Sequence, residues 1–268
     1  MNTLRKYISD IYVKNNQTGR NISLRDSDVF LVSYPKSGGI WLRFLLANIL
    51  TDKVITSSDI DKVIPSIYSQ SEQLLVKIKG KRYLSSNEYF DPRYNHTLYL
   101  VRDPRCIVLS EYVEKIRSNV IDKKYPLSDF VKDFVSGRTS IVGTWSEHVE
   151  SWHHLKWSTQ KDFLLIRYED LVDNFRHVLS KICTFLGINY NNDLIESARS
   201  RSLFSGHLDV SERKTDCFNL EYPIGKDNPS CNGECWQYKL ADKDIRMIER
   251  HFGETMQKAG YSSKFDKS

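Results

Sequence analysis

A short apolar run followed by a glycine-containing turn constrains the fold of this chain more than any other feature. Val29–Ser33 has the sequence VFLVS, which is typical of a strand buried on both faces of a parallel sheet. The turn Ser33–Trp41 has the sequence SYPKSGGIW, and the pattern of Trp41–Leu50 predicts a helix. A strand, a tight turn and a helix in this order place backbone N–H groups where they can surround an anion.

The residue types in this turn suit a phosphate or sulfate ligand. Pro35 fixes the direction in which the chain leaves the strand, and Gly38 and Gly39 permit positive φ and close approach of the backbone to a ligand. Lys36 adds a positive charge and Ser37 adds a hydroxyl donor. The turn is not a Walker A loop, because its lysine precedes the glycines. An ordinary strand–helix turn with a surface lysine is the alternative interpretation.

Further along the chain, segments of strand character alternate with segments of helix character. His96–Val101 predicts a second buried strand, after which Asp103 is placed to cap a helix. Asp162–Tyr168 predicts a third strand, followed by a helix with one apolar face that ends at Gly187, and a last helix follows Asp242. This alternation predicts an α/β fold, a parallel sheet flanked by helices, with ligands at the carboxyl ends of the strands.

The composition narrows the class of protein and its partners. The 268 residues include 40% hydrophobic side chains and no repeat or linker, which predicts one domain over residues 1–268. The net charge of +5 is spread along the chain without a basic run, so we expect no nucleic-acid partner, whereas a small polyanion would suit it. The longest apolar stretch, Ile40–Leu50, contains an arginine and is too short to span a bilayer, so we expect no membrane partner.

The five cysteines are odd in number and irregularly spaced, which argues against a disulfide framework and favours a reducing, cytoplasmic location. Cys231 and Cys235 form a close pair without a second pair or a histidine nearby, so we expect no metal site. Residues 207–235 lack periodicity and predict a long loop, a kind of segment that often carries function. The oligomeric state cannot be read from these patterns.

Two segments resemble the nucleotide-binding motifs of the cytosolic sulfotransferase family. Tyr34–Trp41 resembles that family's 5′-phosphosulfate loop, YPKSGTTW, and matches it at six of eight positions. Leu100–Ser110 is similar to its 3′-phosphate motif, in which an arginine at a strand end and a serine eight residues later hold the phosphate. Arg102 and Ser110 keep that spacing. Arginine suits the role because its planar fork binds two phosphate oxygens at once.

Three further matches follow in the family's order. Gly143–His148 is similar to the family's GSWxxH stretch, and Tyr168–Leu171 matches its YEDL, whose tyrosine contacts the adenine. Ser202 and Phe204 fall where the family places a hydroxyl and an aromatic ring against the nucleotide. His148 corresponds to a position that faces the family's acceptor pocket, and a structural hydrogen bond is the alternative role for it.

The resemblance implies a P-loop-like sulfotransferase architecture and a reaction. A sulfuryl group would pass from 3′-phosphoadenosine 5′-phosphosulfate (PAPS) to a hydroxyl or nitrogen of a small polar metabolite, leaving 3′-phosphoadenosine 5′-phosphate (PAP). Lys36 would neutralise charge on the leaving oxygen, and Ser110 would help partition Lys36 between phosphate and that oxygen. The cofactor-binding residues implied are Lys36, Ser37, Gly38, Gly39, Ile40, Trp41, Arg102, Ser110, Tyr168, Ser202 and Phe204.

The sequence departs from the family's pattern at three places. Gly39 and Ile40 replace two threonines, which removes two hydroxyl contacts. Asn87 stands where the family has its catalytic histidine, and an amide cannot accept a proton at neutral pH, although it can orient an acceptor. The family's C-terminal Arg-Lys-Gly clamp is missing, and only Asn232–Trp236 resembles its tail.

These departures leave several functions open. Glu88 or another carboxylate is one candidate for the missing base. An acceptor that needs little deprotonation, such as a weakly basic nitrogen or an acidic hydroxyl, is another explanation, and a misplaced alignment of Asn87 is a third. Asn87 also motivates the hypothesis of a natural-product tailoring step at nitrogen. A catalytically weak or inactive nucleotide-binding protein of the same fold is the main alternative. A kinase of related architecture is disfavoured by the absence of the Walker lysine and by the Arg102–Ser110 spacing. The sequence does not identify the acceptor.

Overall fold

The computed structural model describes residues 23–68, 72–153, 162–204 and 236–265. In these ranges four strands form one parallel sheet in the order β2-β1-β3-β4. The strands are β1 Val29–Ser33, β2 Tyr83–Ser86, β3 His96–Val101 and β4 Asp162–Arg167. The helices are α1 Gly39–Thr51, α2 Ile60–Val63, α3 Glu72–Lys77, α4 Pro104–Arg117, α5 Leu127–Val135, α6 Trp145–His153, α7 Tyr168–Asp173, α8 Phe175–Leu186, α9 Asn192–Phe204, α10 Trp236–Lys239 and α11 Asp242–Lys258.

Helices cover both faces of the sheet, as a parallel sheet of apolar strands requires. Val29 and Leu31 of β1 lie in an apolar cluster with residues of α1, α8 and α9. The alternate residues Phe30 and Val32 lie in a second cluster with residues of α4, α5, α6 and α11. The two-residue period of the strand therefore divides its side chains between the two layers, and the predicted α/β fold is confirmed.

Most of the predicted elements are confirmed within one or two residues. The first two predicted strands have the predicted bounds, and the helix after the first begins at Gly39. Asp103 caps α4, because its Oδ1 accepts a hydrogen bond from the backbone N–H of Arg105 at 2.8 Å. Gly187 ends α8 with a φ of +67°. The loop predicted at 207–235 lies outside the described residues.

Two elements differ from the prediction. The third predicted strand ends at Arg167, and Tyr168 already begins a helix, α7. Strand β2 was not predicted, because its four residues, YLSS, are half polar and show no apolar run. This strand pairs with β1 so that Ser86 lies beside Val32. The residues after β2 are therefore brought to the same edge of the sheet as the turn after β1.

Across these described ranges, no helix combines the length and the apolar composition needed to cross a bilayer.

Candidate active site

The turn between β1 and α1 has the features of an anion site. Lys36 has a φ of +65° and Gly38 a φ of +92°, so the turn contains a non-glycine residue in a costly left-handed conformation. Helix α1 starts without a side-chain cap and without an acidic residue in its first turn, which leaves its positive end for a ligand. The Ser37 hydroxyl is fully buried and has no hydrogen-bond partner among the described residues. A buried donor of this kind fits a site that an anion completes.

The two glycines of the turn lie against other parts of the site. A Cβ atom on Gly38 would lie 2.5 Å from the ring of Tyr168, so the first residue of α7 packs directly on the turn backbone. A Cβ atom on Gly39 would collide with the Ser33 hydroxyl. A threonine at position 39 would therefore require the Ser33 hydroxyl to rotate away from the turn.

Arg102 joins the turn to the end of β3. Its guanidinium donates a hydrogen bond to the carbonyl oxygen of Lys36 at 3.0 Å, and it lies 4.3 Å from the ring centroid of Tyr168. Arg102 is buried, and Ser110 is buried on α4, two helical turns away. The arginine thus links the two segments that the sequence analysis assigned to the 5′- and 3′-phosphates.

Trp41 and Ser202 form the other side of the site. The indole N–H of Trp41 donates a hydrogen bond to the Ser202 hydroxyl oxygen at 3.3 Å, and the Trp41 ring meets the edge of Tyr168 at 5.8 Å between centroids. Phe204 is the last residue of α9, and Ile40 is exposed at the start of α1. The structure thus brings together residues predicted from four separate motifs.

The Lys36 ammonium is held by a residue that the sequence analysis missed. Its Nζ lies 2.6 Å from Oε1 of Glu114, which is one helical turn beyond Ser110 on α4. Residues four apart share one face of a helix, so the spacing of Ser110 and Glu114 could have indicated that both face the turn. That inference requires knowing that α4 passes beside the turn, which the sequence does not give.

Asn87 lies beside the turn, but its amide is occupied. Its Nδ2 donates a hydrogen bond to the carbonyl oxygen of Ser33 at 2.5 Å, and its backbone N–H donates to the Tyr68 hydroxyl at 3.0 Å. The backbone carbonyl of Asn87 accepts a hydrogen bond from Nε2 of His148 at 3.1 Å. These contacts fasten the end of β2 to the end of β1.

His148 is buried and bonded at both ring nitrogens. Because Nε2 faces the carbonyl oxygen of Asn87, Nε2 carries the hydrogen, and Nδ1 accepts from the Tyr99 hydroxyl at 2.7 Å. Burial lowers the pKa of His148 to about 4, so its ring is neutral near pH 7. This geometry supports the structural hydrogen-bond role for His148 and not a role in the acceptor pocket.

Glu88 is directed into the core. It is buried, and its Oε2 accepts a hydrogen bond from the Tyr94 hydroxyl at 2.8 Å. The ring of Tyr94 stacks on Phe30 in the middle of β1, with 3.5 Å between centroids. The backbone carbonyl of Glu88 accepts from the indole N–H of Trp152 at 3.0 Å. These contacts anchor the chain after β2 to the core and do not join Glu88 to Lys36.

A buried polar network supports the site from behind. Glu169 accepts hydrogen bonds from the backbone N–H of Asp103 at 3.0 Å and from the hydroxyl of Tyr261 at 2.8 Å. Arg105 forms ion pairs with Asp103 at 2.7 Å and with Glu249 at 2.6 Å. Glu169 of the YEDL motif and Arg105 of the 3′-phosphate motif therefore connect the end of β3 with α7 and α11.

The remaining predicted residues fall partly outside the described chain. Within the part of the chain that the structure describes, no group of three or more His, Cys, Asp or Glu side chains is arranged to hold a metal ion. Cys231 and Cys235 lie outside that part. Trp236, the last residue of the C-terminal resemblance, begins α10 and is buried. The Arg105 guanidinium carbon lies 3.7 Å from the centroid of its ring.

The fold and the turn define an α/β protein whose uncapped, glycine-containing turn lies at the carboxyl edge of a parallel sheet. Residues 26–260 match the model of the sulfotransferase domain family, and the chain therefore belongs to that family. The predicted family is confirmed.

Curated relatives include steroid sulfotransferases. The 3-beta-hydroxysteroid sulfotransferase of Cavia porcellus is 30% identical over 193 residues, which are 68% of this chain and 66% of the relative. Sulfotransferase 2A1 of Rattus norvegicus is 31% identical over 194 residues, again 68% and 66%. The chain thus spans slightly less than two thirds of the length of these relatives.

Solved structures share the fold at lower identity. Mouse sulfotransferase SULT7A1 complexed with PAP superposes with a TM-score of 0.66 at 23% identity, over 91% of this chain and 89% of that one. Retinol dehydratase in complex with androsterone and inactive cofactor PAP superposes with a TM-score of 0.64 at 17% identity, over 97% and 88%. These similarities establish the sulfotransferase architecture of the sheet and its helices.

Proposed function

We propose that this chain is a sulfotransferase that uses PAPS to sulfate a hydroxyl or nitrogen of a small molecule. The observation that carries the proposal is the joining of Lys36, Arg102 and Tyr168 around one turn, since the resemblance assigns these residues to the two phosphates and the adenine. Named relatives act on hydroxysteroids, and two solved structures of this fold contain PAP. We propose a small polar metabolite as the acceptor.

The residues present fit the nucleotide. The buried Ser37 hydroxyl and the uncapped start of α1 would hold the 5′-phosphate, because both present donors to one point. Arg102 and Ser110 would hold the 3′-phosphate, and Tyr168 and Trp41, whose rings lie together beside Arg102, would offer aromatic surface to the adenine. PAPS, when bound, supplies the activated sulfuryl group.

The protein's contribution to the reaction is charge stabilisation and positioning. Lys36 would stabilise the negative charge on the leaving phosphate oxygen, as preorganised donors do in group-transfer sites. Such a donor is worth roughly 10²–10³ in rate. Ser110 and Glu114 lie four residues apart on α4, on the face of the helix where Glu114 contacts Lys36. Both can therefore influence the position of the Lys36 ammonium.

A nucleotide-binding protein without turnover is the second candidate. The observation that favours it is the use of the Asn87 amide in a hydrogen bond to Ser33, at the position where the family has its base. This candidate predicts nucleotide affinity without transfer, which separates it from the first.

Transfer can be measured with radiolabelled PAPS and a panel of phenols, alcohols and amines. The wild type should form a labelled product, and Lys36→Ala should lower the rate about 10²–10³-fold. Lys132→Ala is the matched control, because Lys132 is an exposed lysine paired with Asp129 at 2.7 Å. Binding of PAP without any labelled product would favour the second candidate. Absence of PAP binding would overturn both.

A further inference from the structure

The ion pair between Lys36 and Glu114 is a contact between the proposed catalytic lysine and a carboxylate. The two groups are 2.6 Å apart, and the exposed fraction of the side chain is 26% for Lys36 and 53% for Glu114. The pair is therefore accessible to a ligand that enters the turn. Any anion that needs the Lys36 ammonium has to compete with Glu114 for it.

Other candidates for the missing base are held elsewhere. Asn87 cannot accept a proton and donates its amide to Ser33, and His148 uses both ring nitrogens inside the core. The Glu88 carboxylate is bonded to Tyr94.

Glu111, one turn before Lys115 on α4, is also held by its own partners. Its carboxylate accepts a hydrogen bond from Thr139 at 3.1 Å and lies 3.8 Å from the Lys115 ammonium. Burial raises the pKa of Glu111. Glu114, by contrast, is bound to the group that the reaction itself has to move.

We propose that Glu114 exchanges partners during turnover: it holds Lys36 while the turn is empty and accepts the proton of the acceptor once Lys36 has left it. The proposal rests on the proposed sulfotransferase function. The proton of the attacking hydroxyl or amine moves to a Glu114 oxygen as the new bond to sulfur forms. The electron pair of the broken sulfur–oxygen bond stays on the phosphate oxygen, whose charge Lys36 stabilises.

The position of Glu114 supports this exchange. Its carboxylate lies within the reach of the Lys36 side chain, so it belongs to the same small region as the oxygens that Lys36 would contact after it leaves. When Lys36 leaves, the Glu114 oxygen that had faced its ammonium can accept from the hydroxyl or amine of the acceptor instead. The carboxylate thereby changes from the partner of Lys36 to the partner of the acceptor.

The test compares Glu114→Gln with Glu254→Gln. Glu254 is an exposed glutamate paired with Lys258 at 2.8 Å, so its variant reproduces the loss of a surface ion pair away from the site. PAP affinity is measured by titration calorimetry, and transfer is measured with radiolabelled PAPS and the acceptor panel. Glu114→Asp, which keeps the carboxylate, is included as the conservative variant.

We expect Glu114→Gln to bind PAP about two- to fivefold more tightly, because no ion pair has to be broken. The same variant should transfer sulfate about 10²–10⁴-fold more slowly, and Glu114→Asp should recover part of that rate. A merely structural role would weaken both properties together. Unchanged or weaker PAP binding by Glu114→Gln, or an unchanged transfer rate, would overturn the proposal. Failure of the wild type to bind PAP would instead overturn the proposed function on which it rests.

Discussion

The guanidinium of Arg102 donates a hydrogen bond to the carbonyl oxygen of Lys36, with 3.0 Å between the two atoms. This contact is possible because β1 and β3 are neighbours in the sheet, with Ser33 paired to Leu100. The segments that follow the two strands consequently leave the same edge side by side. One arginine can therefore shape the turn after β1 and also lie at the edge of the sheet where a ligand of the turn would bind.

Replacement of Arg102 tests this double role. Arg102→Ala should lower PAP affinity by roughly tenfold or more, since a hydrogen bond to a charged group contributes about 1.5–3 kcal/mol. Arg102→Lys should recover little, because an ammonium lacks the planar fork. Calorimetry with PAP and adenosine 5′-phosphate separates the two roles. An equal loss for both nucleotides would mean that Arg102 acts only through the turn.

Gly38 should not tolerate a side chain. Gly38→Ala places a Cβ atom 2.5 Å from the Tyr168 ring at a φ of +92°, so we expect a loss of about 1–3 kcal/mol in the free energy of unfolding and weaker PAP binding. Urea denaturation measures the first effect. Gly253→Ala is the matched control, because a Cβ atom there meets nothing within 4 Å in the middle of α11. That variant should gain about 0.5–1 kcal/mol. Equal effects of the two substitutions would contradict the geometry described for the turn.

The sequence predicted the parts of the fold that local patterns encode. The β1 strand is a continuous apolar run, and α4 begins at an Asp103–Pro104 pair, so both could be recognised from neighbouring residues. The β2 strand, YLSS, has no such pattern and forms because β1 offers it an open edge. Pairing between strands depends on the folded chain as a whole. A segment of four residues, half of them polar, therefore has no local pattern from which the pairing could be predicted.

The site was predictable to a similar extent. Arg102 and Tyr168 were found through spacing and resemblance, and the structure brings both to the turn. Their mutual contact, and the ion pair between Lys36 and Glu114, depend on where two elements cross. No local signature marks such contacts. The same holds for Asn87, whose hydrogen bond to Ser33 follows from the parallel pairing of β2 with β1.

The buried His148 predicts a dependence of stability on pH. Burial lowers its pKa from 6.5 to about 4, so the unfolded chain binds this proton more readily than the folded protein does. The contribution of the neutral His148 to the free energy of unfolding is complete above pH 6.5, the pKa of histidine in the unfolded chain. It is lost as the pH falls from about 6.5 to about 4. The loss should reach about 3 kcal/mol over that window.

His148→Gln separates this effect from other titrating groups. The variant should be less stable than the wild type near neutral pH, and the difference should narrow as the pH falls. Urea denaturation of both proteins at several pH values between about 7.5 and 4.5 measures it, because groups common to both proteins cancel in the difference. A difference that stays constant over this range would contradict a neutral buried histidine.

The Asn87 amide should contribute to stability through Ser33. Asn87→Ala removes the hydrogen bond at 2.5 Å and should cost about 1 kcal/mol. Asn87→Asp should cost more, because a carboxylate would face the carbonyl oxygen of Ser33. Asn95→Ala is the control, since the Asn95 amide contacts Asp26 on the surface at 3.3 Å. Its effect should stay within about 0.5 kcal/mol. Equal stability of all these variants would remove the proposed link between β2 and β1.

The most direct test of the central claim is the nucleotide selectivity of the wild type. Thermal stabilisation is measured with PAP, adenosine 5′-phosphate, ADP and ATP, with Lys36→Ala alongside. The arrangement of Lys36, Arg102 and Ser110 predicts that PAP stabilises the wild type most and that the Lys36 variant responds less. Equal stabilisation by PAP and adenosine 5′-phosphate, or a preference for ADP, would contradict the proposal that this chain is a PAPS-dependent sulfotransferase.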